Sequence, residues 1–181
     1  MSNKPYRYRD AKWEDVPDAL KKALTVSRET RRGIYIHGTV GTGKTHIAYA
    51  MCDYAQDVMH LKAQFWNTTE LLADIRDDFD RNNYDKKRRE EMLMEFRGLL
   101  FLDDIGAEKM TEWVQEQFYR IVNRRYEEAL PTIFTSNLPI RELGERLGDR
   151  TASRIVEMCD IYPLNGADRR IEAARNRKHH E

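Results

Sequence analysis

The sequence predicts an α/β fold with a mostly parallel sheet, and three observations point there. Short apolar runs of strand length alternate along the chain with longer stretches of helical spacing. A glycine-rich turn, Gly38-Thr39-Val40-Gly41-Thr42-Gly43, joins one such run to one such stretch. A further run, Leu99-Leu100-Phe101-Leu102, is apolar at every position and ends on Asp103 and Asp104. A strand apolar on both faces suits a sheet covered by helices on both sides. Strands that alternate with helices acquire parallel order through their crossovers.

Taken in order, residues 1–32 are polar and aromatic, with Tyr6, Tyr8 and Trp13 among basic residues, and read as a linker segment with one short helix. That helix is expected over Asp18 to Ser27, where Ala19, Leu20, Ala23 and Leu24 share a face. Gly33 to His37 reads as a short buried strand running into the glycine-rich turn. Lys44 to Met59 follows with Ile47, Ala48, Met51 and Ala55 at helical spacing. Ala63 to Asn67 is the next expected strand, and Thr68 or Thr69 is placed to cap a helix running to about Phe79. A polar break over 80–85 precedes a charged helix from Lys86 to Phe96, which Gly98 ends. After the Leu99–Leu102 strand, Glu112 to Leu130 is a long amphipathic helix stopped by Pro131. Trp113, Phe118, Ile121, Val122 and Tyr126 are its core candidates. Thr132 to Thr135 is a strand, two short helices are expected near 140–147 and 150–158, and Ile161 to Leu164 is the last strand.

A chain of 181 residues supports one well-buried domain and is short for two. Its formal net charge is zero, so bulk charge gives no argument for nucleic-acid binding and any basic surface must be local. Cys52 and Cys159 are far apart, fit no metal spacing, and read as the reduced thiols of a cytosolic protein. No stretch has the pattern of a signal peptide, and no apolar run approaches the ~18 residues of a membrane span. A cytoplasmic location and no membrane partner are therefore expected.

The string Gly38-Thr39-Val40-Gly41-Thr42-Gly43-Lys44-Thr45 is a P-loop. Its glycines let the backbone curl so that N–H groups point inward at phosphate oxygens. Lys44 brings a charge to the β- and γ-phosphates, and the Thr45 hydroxyl is placed to ligate Mg²⁺. The helix that follows directs its positive end at the same anion. Ligands of open α/β sheets sit at the C-terminal ends of strands, where Asp103 would hold Mg²⁺ and Asp104 would orient or deprotonate a water. Asp104 alone also reads as a turn acid. Asn137, after the Thr132–Thr135 strand, can donate to a phosphate oxygen and accept from water at once, although Ser136-Asn137-Leu138-Pro139 by itself is a good turn. Arg146, Arg150 and Arg154 recur every four residues, which on one helix places them on one face. They read either as a solvated face or as groups that meet an anion such as a neighbouring subunit's γ-phosphate.

The P-loop, Leu102-Asp103-Asp104-Ile105-Gly106, Thr135-Ser136-Asn137-Leu138 and Asp149-Arg150-Thr151-Ala152-Ser153-Arg154 occur in this order. Together they resemble the AAA+ helicase-loader ATPases of the DnaC/DnaI group, with the IstB-like transposition helpers as close relatives. Tyr8 to Pro17 looks like the segment that precedes the ATPase core in that group. The resemblance implies a P-loop NTPase of AAA+ type, with a mostly parallel five-stranded sheet flanked by helices and nucleotide bound between subunits of a homo-oligomer. It implies an ATPase core over 33–170 and a charged C-terminal tail over 171–181. By position it makes Asn137 the sensor-1 residue, Arg154 the arginine finger acting in trans with Arg150 as second candidate, and Arg170 the sensor-2 residue. The helices between Thr68 and Arg97 would correspond to an insertion that lines a single-stranded DNA channel, so Lys86, Lys87, Arg88 and Arg89 become candidate phosphate contacts. The same basic run also reads as a solvated helix face.

The expected activity is ATP hydrolysis with Mg²⁺, slow because Asp104 stands where many AAA+ enzymes carry glutamate, and stimulated by DNA or a partner. The expected role is loading or remodelling a replicative helicase on single-stranded DNA through ATP-dependent oligomerisation. One alternative is a transposition helper that serves a transposase on duplex DNA. Another, from a different class, is a small-molecule P-loop kinase with its phosphate-gripping arginines in cis.

Overall fold

The computed structural model describes residues 4–80 and 89–166. Two short 3-10 turns, Tyr6–Tyr8 and Trp13–Asp15, lead into helix α1 (Asp18–Thr30) and strand β1 (Gly33–His37). The P-loop then connects β1 to α2 (Lys44–Asp57), followed by β2 (Ala63–Asn67), α3 (Thr68–Asp80) and α4 (Arg89–Glu95). The rest of the chain forms β3 (Leu99–Asp103), α5 (Glu112–Glu127), β4 (Thr132–Ser136), α6 (Ile140–Leu147), α7 (Asp149–Met158) and β5 (Cys159–Pro163). The five strands form one parallel sheet in the order β2-β3-β4-β1-β5, as the alternation of elements predicts.

Both faces of the sheet are covered, which explains the unbroken apolar run of β3. Ile34, Ile36, Phe101 and Ile133 point to one face and pack with Leu20 and Leu24 of α1 and Ile47 and Met51 of α2. Tyr35, Leu100, Leu102 and Phe134 point to the other and pack with Leu71, Ile75, Phe118, Ile121, Leu143 and Ile155. Successive strand side chains alternate faces, so each strand feeds both layers. Within the segment read as a linker, Ala11, Val16, Leu20 and Leu24 are buried in the first layer. Trp13 stacks on Tyr54 at 3.7 Å between ring centroids, and Tyr8 stacks on Tyr49 at 4.9 Å.

Three local expectations are corrected. The cap of α3 is Asn67, whose Oδ1 accepts from the N–H groups of Thr69 and Glu70, while Thr68 turns into the core. The last strand begins at Cys159, two residues early, because Arg32 draws its start onto the sheet. Arg32 donates to Asp160 through Nε at 2.7 Å and to the Cys159 carbonyl through Nη2 at 2.9 Å. Arg146, Arg150 and Arg154 do not share one helix. Gly148, at φ +90°, ends α6 after Arg146 and starts α7 before Arg150.

Among the fully buried side chains of the described residues, Arg125 carries a guanidinium. Arg125 of α5 is 0% exposed. Nε donates to Thr132 Oγ1, Nη1 to the carbonyls of Leu93 and Phe96, and Nη2 to those of Gly98 and Pro131. All five guanidinium donors are thereby used, and α4, α5 and the starts of β3 and β4 are tied to one centre. Cys52 and Cys159 are buried and unbridged. Among the described residues no helix is long and apolar enough to cross a membrane.

Candidate nucleotide site

β1 ends at His37 and α2 begins at Lys44, so the turn between them must reverse direction within a few residues. Gly41 and Gly43 do so at φ +85° and +93°, a region that side chains rarely adopt. Gly38 is required by contact instead, since a Cβ there would lie 2.2 Å from the Leu164 carbonyl oxygen. Thr42 is buried and its hydroxyl donates to the Thr39 carbonyl at 3.0 Å. Val40 is exposed at the rim. Lys44 is 6% exposed, with Nζ donating to the carbonyls of Gly38 and Thr39 at 2.7 and 2.8 Å. The ammonium therefore sits inside the curl of the loop.

The adjacent strand end supplies the carboxylates. Asp103 Oδ2 accepts from the Thr45 hydroxyl at 3.1 Å, and Oδ1 from the Thr135 hydroxyl at 2.6 Å. Burial pushes the Asp103 carboxyl up to about 6, against the lowering effect of those two hydroxyls; the Asp104 charge adds to the rise. Asp104 is held at φ +62°, its N–H donates to Thr135 Oγ1 at 2.8 Å, and its Oδ1 accepts from Asn137 Nδ2 at 2.8 Å. β3 and β4 are neighbours in the sheet, so Asp103, Asp104 and Asn137 meet at one corner although they lie far apart in the chain.

Sequence reasoning missed the side chains that arrange this corner. Thr135 accepts from the Asp104 backbone while donating to Asp103, and the buried Thr68 hydroxyl donates to the Asp103 carbonyl at 2.9 Å. Glu108 is buried, accepts from the Gly106 N–H at 3.0 Å, and is raised by burial. Arg146 closes the same loop from outside by donating to the Gly106 carbonyl at 2.5 Å. Hydroxyl residues in a strand of a sheet covered on both faces were the available signal for Thr135, because a buried polar group requires a partner.

The remaining predicted residues are placed elsewhere. Arg150 is exposed on α7. Arg154 is half-buried against α5, and its described contacts include none to its own P-loop. Arg89 is committed within the chain, pairing with Asp74 at 3.2 Å and Asp78 at 2.5 Å. Lys86, Lys87, Arg88 and Arg170 lie outside the described residues.

The residues present fit a magnesium nucleotide. Gly41 and Gly43 turn the loop at positive φ, and a lysine ammonium lies within its curl. A carboxylate whose charge is penalised by burial stands beside a threonine hydroxyl. Mg²⁺ is commonly held in this way, by one carboxylate together with substrate phosphates and water. A cavity of about 710 Å³ reaches this corner at Thr45 and Asp103 and extends along β2 past Tyr8, Tyr49, Phe65 and Asn67, with Lys44, Asp104 and Asn137 outside its wall.

Comparison with known proteins bears on the family and the fold. The family model for IstB-like ATP-binding proteins matches residues 15–177. The chain is similar to the replicative helicase loader DnaI of Bacillus subtilis (strain 168), 26% identical over 88% of this chain and 54% of DnaI. It is similar also to a protein of insertion sequence IS21 from Pseudomonas aeruginosa, 30% identical over 81% of this chain and 56% of that protein. Among solved structures, the DnaC helicase loader superposes with a TM-score of 0.77 at 23% identity, over 89% of this chain and 100% of that one. At that identity the likeness speaks for the fold. The chain spans 50% to 62% of the length of the first curated relatives it matches.

Proposed function

This chain belongs to the family of IstB-like ATP-binding proteins, with the fold of AAA+ P-loop NTPases, and on that premise we propose that it is a slow, Mg²⁺-dependent ATPase working as a homo-oligomer on DNA. Residues 33–170 are the ATPase core in this reading. Its role is to load or remodel a replicative helicase on single-stranded DNA. The observation that carries the reading is the meeting of Thr45, Asp103, Asp104 and Asn137 at one corner of the sheet beside Lys44.

Each residue has a distinct task. The P-loop N–H groups and the Lys44 ammonium bind the phosphates and offset their charge. Thr45 and Asp103 would hold Mg²⁺, which when bound neutralises charge developing on the γ-phosphoryl oxygens. Asp104 accepts a proton from the attacking water, and Asn137 fixes that carboxylate through the bond from its Nδ2. Arg154 is the group supplied to a neighbouring subunit's nucleotide, with Arg150 as second candidate. An arginine so supplied is worth roughly 10³–10⁵ in rate in related phosphoryl-transfer chemistry. Its contacts with α5 rather than with its own P-loop support a role in trans.

A second reading is favoured by the family itself. The likeness to a protein of insertion sequence IS21 supports a helper that serves a transposase on duplex DNA. The small-molecule kinase alternative has lost its footing. Arg146, one of its phosphate-gripping candidates, is bonded to the Gly106 carbonyl, and the family match is to a different class.

The test is the ATPase rate per subunit across protein concentration, alone, with single-stranded DNA and with duplex DNA. A specific rate that climbs with concentration and again with single-stranded DNA is expected. Stimulation by duplex alone would move the assignment to the transposition helper, and a flat rate indifferent to DNA would overturn both.

A further inference from the structure

Arg154 is held by two tyrosine rings. Tyr119 and Tyr126 lie seven residues apart on α5, about two turns, so they share the helix face that α7 covers. The Arg154 guanidinium carbon is 5.0 Å from the Tyr119 ring centroid and 5.6 Å from that of Tyr126. Both distances lie within the ~6 Å range of cation–π attraction. Arg154 Nε is buried without a hydrogen-bond partner, and Nη1 makes one long contact, 3.5 Å, to the Arg150 carbonyl. The nearby carboxylate, Glu157, instead accepts from the Tyr126 hydroxyl at 2.5 Å, which ties that ring to α7.

The choice of partner matters for an arginine that must meet an anion. A carboxylate would neutralise the guanidinium and compete with a phosphate for its in-plane N–H groups. A ring holds the cation through its face and leaves the charge uncompensated. The stem is ordered before any encounter, so less freedom is lost when the anion is bound.

We propose that Tyr119 and Tyr126 are positioning residues for Arg154, a two-ring cradle that presents its guanidinium to the phosphates of nucleotide bound by a second copy of this chain. The inference rests on the reading of Arg154 as the arginine supplied in trans. It assigns the cradle to the donating subunit, which gives it a signature that general structural damage lacks.

Subunit mixing reads that signature. Full-length chains carrying Asp104→Asn, which keep Arg154 but lack the proton acceptor, are mixed with chains carrying Arg154→Ala, which keep the site but lack the finger. Each alone hydrolyses ATP poorly, and the mixture is expected to regain activity. Adding Tyr119→Leu to the Asp104→Asn chain should lower the regained rate about tenfold, whereas Tyr119→Phe, which keeps the ring, should restore it to within about twofold. Adding Tyr119→Leu to the Arg154→Ala chain should change the rate by less than about twofold, which also shows that the substituted chain folds. Equal losses in donor and acceptor, or no loss in the donor, overturn the cradle while leaving the trans-arginine reading intact. A mixture that regains nothing overturns that reading, and the cradle with it.

Discussion

Burial holds the Asp103 carboxyl near 6, against 3.8 for the unperturbed group, so near neutral pH the nucleotide-free chain carries a carboxylate that its surroundings disfavour. The folded value lies above the unfolded one, so the destabilising effect is absent below about pH 4, grows between about pH 4 and 6, and is complete above that. Asp103→Asn should therefore stabilise the nucleotide-free protein by about 1–3 kcal/mol at pH 7.5 and leave it unchanged at about pH 4. Thermal melts at the two pH values check this. The same variant should lose Mg²⁺-dependent nucleotide binding. Lys44→Ala removes the ammonium from the curl of the P-loop and should abolish nucleotide binding or hydrolysis, read by titration with a fluorescent ATP analogue. Both residues were legible as candidates, one from the P-loop spacing and one from its place at a strand end. The hydroxyls of Thr135 and Thr68 were not, because their role depends on which strands become neighbours.

Between elements, the least replaceable joint is Arg125. Its backbone acceptors are carbonyls at the end of α4 and just ahead of β3 and β4, of which that of Pro131 also accepts from the Leu100 N–H at 3.4 Å. Arg125→Met keeps the volume but removes all five donors from this buried cluster, and should cost about 3–5 kcal/mol in a denaturant titration. Arg125→Lys should recover only part of that loss, since an ammonium has three donors where the guanidinium has five. A milder effect is expected at the start of α3. There Asn67→Ala removes the capping oxygen and should cost about 1 kcal/mol. The strands were legible almost to the residue because turn residues and apolar runs bound them. The cap and the start of β5 were not, since Asn67, Thr68 and Thr69 are all good caps by type and Asp160 hides its strand until Arg32 pairs with it.

At the scale of the whole molecule, the C-terminal strand ends gather the carboxylates and the amide, while the candidate finger lies between α7 and the Tyr119 and Tyr126 rings of α5, with no described contact to that corner. A site divided in this way should drive assembly when nucleotide is bound. Sedimentation is expected to show larger species with Mg²⁺ and a non-hydrolysable ATP analogue than without, and Lys44→Ala should abolish the difference. By itself the sequence determined the α/β class, the parallel sheet, the P-loop and the strand-end acids. These rest on local spacing, and local spacing is written in the chain. Only the tertiary structure decided that Thr135 joins Asp103 to Asp104, that Arg146 braces the loop after β3, and that Arg154 lies on Tyr119 and Tyr126. It likewise turned Arg125, by type a surface residue, into the centre of a buried network. The reason is physical: what a polar side chain does is set by the partner it meets, and that partner comes from a distant part of the chain that only folding brings near.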